Sequence, residues 1–252
     1  MCCFSQPVIS VSGTNIFARP DTDGRQFLVY NMTLNAKRDL AMILPLPVKT
    51  PAEEKDVKFI DLKGYPEFFR DLEIGFSDPE TESKSRRYGL ATQSAAALEV
   101  VQVGDFEASF VPTQNDFSRL DERFRLPRDA WKQLPAYESY GFAVFKLKPG
   151  AMKVHPMAFS FLRRLPKTLF FPTVHIHDGK VHEKAHFDHA LFCQPTRDER
   201  PLTSGWQESR GHPKSYMQMK KAKDVVLADQ HCYKHEIRGM ATNRDTFLAV
   251  EM

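Results

Sequence analysis

At 252 residues, 42% apolar and 27% charged, the chain can bury one large core or two small ones and has ordinary globular composition. A formal net charge of +3 excludes a nucleic-acid footprint built on bulk charge. No run reaches the roughly 18 apolar residues of a membrane-spanning helix.

The elements read as follows. Val8–Val11 and Ile16–Arg19 form strands around a Ser12-Gly13-Thr14-Asn15 turn, and Gln26–Leu34 is a strand rich in β-formers. Leu40-Ala-Met-Ile-Leu-Pro-Leu-Pro47 is a continuous apolar run, as for a strand buried on both faces until its prolines end it. Val57–Leu62 is a further strand. Tyr65–Leu72 is a short helix, with Pro66 in its first turn and Phe68, Phe69 and Leu72 on one side. Residues 77–93 turn polar and charged, giving a mobile loop within one domain of 1–252, or a linker between 1–76 and 94–252.

Leu98–Val103 and Phe106–Val111 pair around Gly104-Asp105. Asn115–Phe124 and Pro127–Leu134 look helical. Gly141–Leu147, Pro156–Arg163 and Leu169–His177 are strands. Arg197–Pro213 is a loop containing Trp206, and Val225–Leu227, Cys232–Ile237 and Thr246–Val250 are closing strands. The expected class is α+β, mainly antiparallel sheet with a few short helices.

Five of the nine histidines fall within Thr173–His189. Asp178-Gly179 is a two-residue hairpin signal, because glycine accepts the positive φ of a type I′ turn. In that register His175 opposes His182, and alternation puts His175, His177 and His182 on one face, with His186 as a fourth contact. Three imidazoles leave one position open for water, as in catalytic zinc sites. The expectation is a metal-binding protein holding a divalent transition metal, zinc favoured. As a hydrolase or other Lewis-acid enzyme it would act on a small-molecule substrate, with Glu183 or Asp188 relaying protons. Read as a helix instead, His182-Glu-Lys-Ala-His186 resembles the H-E-x-x-H motif of zincins, with Glu183 as base and His189 on the same face. The glycine and later histidine of metzincins are absent.

Cys2 supports a second reading. Removal of Met1 would expose its amine as base for its own thiol, an arrangement that resembles N-terminal-nucleophile hydrolases, although Cys3 stands where some of them carry glycine. In a third reading the chain is a non-catalytic binding or structural protein with solvated histidines. His231, Cys232 and His235 form a weaker cluster that could approach the first. Cys193 reads as core. Met217 and Met219 read as packing, and Lys214, Lys220, Lys221 and Lys223 as a solvated face.

Phosphate-loop, dinucleotide and nucleophile-elbow motifs are absent. Without a hydrophobic signal core at Met1-Cys-Cys-Phe-Ser, a cytoplasmic location with reduced cysteines is expected. Met1-Cys2-Cys3 followed by Asp39–Val48 resembles a group of uncharacterised bacterial proteins, which implies a bacterial origin and no activity. Oligomeric state is not encoded in any pattern here.

Overall fold

The computed structural model describes residues 2–77, 101–103, 106–126, 128–195 and 205–250. Sixteen strands carry these residues, with two short α-helices, α1 (Phe68–Ile74) and α2 (Arg128–Lys132), and several 3-10 turns. The α+β expectation holds in this sense: sheet dominates, most pairs are antiparallel, and two are parallel.

One sheet is centred on β4 (Leu40–Leu46), every residue of which is buried. On one side β4 pairs with β1 (Cys2–Phe4), which in turn pairs in parallel with β12 (His175–Ile176). On the other side lie β8 (Gly141–Leu147), β7 (Phe106–Val111) and β6 (Val101–Val103). Pro45 does not end β4; it pairs with Phe142 inside the strand. Ser5 donates its backbone N–H to the Ala41 carbonyl, so odd-numbered residues of β4 aim their polar groups toward β1. The β1–β4 register runs only to Ile43, so the N–H that Pro45 lacks has no strand to serve.

The second sheet runs β14 (Gln207–Glu208), β15 (Tyr233–Thr242), β13 (Lys184–Cys193), β2 (Ser10–Pro20), β3 (Arg25–Ala36), β10 (Met157–Leu162) and β5 (Val57–Asp61), with β9 (Gly150–Lys153) added to β3. The two strands expected before and after Ser12–Asn15 are one strand, β2. Its register shifts between Ser12 and Asn15 around Gly13, at φ 61°, so the glycine makes a bulge rather than a reversal. A third, two-stranded sheet joins β11 (Thr168–Phe171) to β16 (Thr246–Ala249).

Other elements shift for local reasons. The helix expected over Asn115–Phe124 is two 3-10 turns, Gln114–Arg119 and Glu122–Phe124. The expected strand Leu169–His177 splits into β11 and β12 at Pro172. Val225–Leu227 is not a strand; it packs Val225 and Val226 against α1's apolar side. The hairpin pairing of β6 with β7 is present, while its Gly104-Asp105 turn, Pro127 and residues 78–100 lie outside the described residues.

The main core joins the two large sheets and the small one, through Leu44 and Phe145 on one side, Leu28 and Phe159 on another, and Phe170 and Leu248 on the third. A second cluster under α1 takes Phe17, Tyr65, Phe68, Leu72 and Phe192. There the Tyr65 hydroxyl donates to Asp71 and accepts from the Gln218 amide, holding the 213–229 segment against the helix. Among the described residues, no helix is long and apolar enough to cross a membrane.

Candidate functional site

The histidine-rich stretch does not close into the expected hairpin. Gly179 does take φ 80°, and Lys180 donates its backbone N–H to the Asp178 carboxylate, so the turn itself is present. No ladder follows it. β12 is taken up by β1, and β13 begins only at Lys184, between β2 and β15. His175 and His182 are therefore not strand partners. His182 is exposed and bonds the Asp178 carboxylate at 2.9 Å. His186 sits on the exposed side of β13 opposite Met240, and Glu183 is exposed before the strand begins. Lys184–Cys193 being strand also removes the zincin-like helix.

The imidazoles that do meet are His175, His177 and His189. His175 lies 4.7 Å from each of the others, ring centre to ring centre. His175 and His177 are stacked, with 22° between their planes, while the Nε2 atoms of His175 and His189 approach to 3.1 Å. Phe187 packs against His175 at 4.5 Å and Phe4 against His177 at 5.7 Å, so the group is walled by aromatic rings. The fold thus brings in His189, which strand alternation in β13 points inward with Phe187, and leaves out His182 and His186.

The four histidines assigned to a metal from the sequence, His175, His177, His182 and His186, are thus not brought to one point. Ring nitrogens present their lone pairs in the ring plane, and stacked rings hold those planes side by side instead of converging on one point. The second His–His contact, between His175 and His189, is direct. At 3.1 Å the two Nε2 atoms are within hydrogen-bond distance, one neutral imidazole donating and the other accepting. Among the described residues, no three His, Cys, Asp or Glu side chains are grouped to hold a metal ion.

Burial keeps these imidazoles neutral. It lowers His175 to about 2 and His177 to about 4, and it also lowers His189, against the pull of Asp188. Asp188 lies 3.7 Å from His189 Nδ1, near enough for charge attraction and too far for a hydrogen bond. Its other oxygen accepts the Gly13 amide at 2.6 Å, and the carboxyl is held at about 2, by the neighbouring His189 ring first and by that amide second. One oxygen of Asp188 thus holds the β2 bulge, and the other faces His189.

A pH dependence follows, with its sign set by the depressed values. The folded state holds these histidines neutral, whereas the unfolded chain takes up protons below about 6.5. Their contribution to stability is complete above that pH. It is lost as pH falls toward about 4 for His177 and about 2 for His175. Each histidine adds a slope approaching about 1.4 kcal/mol per pH unit across that window. Asp188 acts only lower, losing its contribution below about 3.9. Urea midpoints should therefore fall between pH 6.5 and 4, less steeply in His177→Gln; identical pH profiles for the two proteins would refute this account.

The remaining sequence candidates are engaged elsewhere. Cys2 pairs through its backbone with His175 in β1, and Cys3 is fully buried. His231 bonds the Ser209 carbonyl and packs against His212, and His235 stacks on Trp206. Cys193 and Cys232 are buried in the core, which pushes both thiols up, Cys232 to about 12, so neither is a ready thiolate.

A different feature escaped the sequence reading. A cavity of about 650 Å³ opens beside β16, lined by Tyr137, Tyr140, Val174, Arg244, Thr246 and Phe247. At its wall Asp245 accepts the Tyr137 hydroxyl at 2.6 Å and the Thr173 and Val174 amides at 2.9 and 3.1 Å. Burial raises the Asp245 carboxyl, against those three donors. Nothing in Asn-Arg-Asp-Thr signals this, because all three donors lie about 70 or more residues away.

No family model matches the sequence, and no curated protein matches it. Solved structures do. The crystal structure of baculovirus P35 superposes with a TM-score of 0.52 at 12% identity, covering 96% of this chain and 97% of that one. P35 in the caspase-8/P35 complex gives 0.49 at 11% identity, over 94% and 96%. At these identities the likeness is one of fold. With the histidine geometry, it overturns the expectation of a metal-dependent, zinc-favouring hydrolase: the fold is shared with P35, and the residues assigned to the metal do not converge.

Proposed function

We propose that this chain is a non-catalytic protein that acts by binding another protein, and that a caspase-class protease is the first partner to test. The observation that supports this is the likeness to baculovirus P35 over nearly the whole of both chains. P35 is itself recorded in complex with caspase-8.

The chemistry of the buried groups favours the same reading. His175 and His189 are walled in, neutral and bonded to each other. The buried thiols of Cys193 and Cys232 are held protonated. Such groups hold a scaffold together, and recognition is left to its surface.

The test is direct. Purified full-length chain is passed over immobilised caspase-8, and its effect on cleavage of a peptide substrate is followed in parallel. A saturable complex is the expected result. Absence of any complex with caspase-8 and with a panel of other caspases would overturn the choice of partner.

A further inference from the structure

We propose that the outer edge of β16 is a docking edge for an extended acidic peptide segment of a partner protein, which would add as a new strand beside Thr246–Ala249. The idea rests on the protein-binding reading above but not on the identity of the partner.

The pairing of β11 with β16 fixes which backbone groups are free. Val250 donates to the Lys167 carbonyl, so residue 250 belongs to a hydrogen-bonded position, and with it 248 and 246. Phe247 and Ala249 then alternate the other way. Their N–H and C=O groups point away from β11, and both residues are exposed. A second observation agrees with this parity. Phe170, opposite Phe247, turns its own amide and carbonyl away from β16, where the Gln26 side chain meets both, at 3.0 and 2.7 Å.

Neighbouring edges are closed in the same manner. Gln26, fully buried, stands in for a missing strand beside β11. Asn243 does so beside β12, accepting the His175 amide at 2.7 Å and donating to the His175 carbonyl at 2.9 Å. Open strand edges invite pairing with other chains, and folded proteins usually block them. Among the described residues, no side chain caps Phe247 or Ala249 in this way.

The surroundings select the occupant. Phe247 is 44% exposed and rests on Phe170 at 5.2 Å, presenting an apolar face next to the cavity lined by Tyr137, Tyr140 and Val174. A cavity of about 650 Å³ takes one or two side chains of a bound strand. Arg244 at one end of β16 and Lys167 beside the other are exposed, and neither makes an ion pair among the described residues. The one carboxylate in the cavity wall, Asp245, is already taken by three donors. Unpaired cations flanking an open edge fit a strand that carries Asp or Glu. Main-chain bonds would supply affinity, and alternate side chains specificity.

The experiment pans a random heptapeptide phage library on the immobilised full-length chain and measures the enriched peptides by fluorescence anisotropy. Enriched sequences should combine Asp or Glu with β-branched residues. Ala249→Pro removes one outward N–H and no bond to β11, and it should weaken those peptides tenfold or more. Arg244→Glu should do the same. Should Ala249→Pro fail to fold by circular dichroism, the double variant Arg244→Glu/Lys167→Glu decides. Failure to enrich any peptide, enrichment of basic peptides, or undiminished binding to the folded variants overturns the proposal. Caspase-8 binding by the same variants separates the two readings: a caspase complex with no enriched peptide, or with peptide binding undiminished by Ala249→Pro, sinks the docking edge and leaves the proposed function standing. Peptide capture lost in the variants, without a caspase complex, sustains the docking edge and overturns the choice of caspases as the partner.

Discussion

Phe145→Ala is expected to lower the unfolding free energy by about 3–5 kcal/mol, the usual cost of emptying a buried aromatic site. Phe145 is fully buried on β8 and meets Phe59 edge-on at 5.6 Å, Phe106 edge-on at 6.2 Å and Phe159 at 6.0 Å. Two of those rings belong to β5 and β10 of the second sheet, so this one side chain ties the sheets together. The strands that carry these rings are held in register by their neighbours, which limits collapse into the void. Phe145→Leu keeps most of the volume and should cost under about 1.5 kcal/mol. Guanidinium midpoints at constant slope measure both. A loss below about 1 kcal/mol for the alanine variant would mean that the sheets can close over the gap.

Asp245→Ala should cost about 2–4 kcal/mol. It strands the Tyr137 hydroxyl and the Thr173 and Val174 amides, and an unpaired buried donor costs roughly 1–3 kcal/mol. The total falls short of three full penalties because the cavity beside Tyr137 can admit water. Asp245→Asn separates charge from geometry. Its carbonyl oxygen can still accept both amides, and its amino group can donate to the Tyr137 oxygen, so about 1 kcal/mol is expected. Hydrogen exchange at Thr173 and Val174 should quicken in the alanine variant and stay slow in the asparagine one. Equal exchange in both would show that Asp245 does not hold this corner.

The residues closest to the expected metal site show how far local pattern reaches. Asp178-Gly179 correctly announced positive φ, since that depends on glycine's missing Cβ alone. It could not announce which strands would flank the turn. β12 finds β1, more than 170 residues away in sequence, and β13 finds β2 and β15. Those partners complete two sheets over a shared core, whereas a hairpin of His175–His182 would have left its polar face in solvent. Long-range burial therefore overrode a short-range turn preference.

What the chain alone determined was the sheet-rich class, the strand of unbroken apolar residues Leu40–Leu46, and the place where histidines concentrate. These follow from side-chain period and from the transfer of apolar surface out of water, both readable residue by residue. The tertiary structure decided that His189 rather than His182 meets His175, that Gln26 and Asn243 close strand edges, and that Asp245 gathers donors from two distant segments. Each of these is a contact between groups brought together only by the packing of whole sheets, and no periodicity within a single segment encodes its partner.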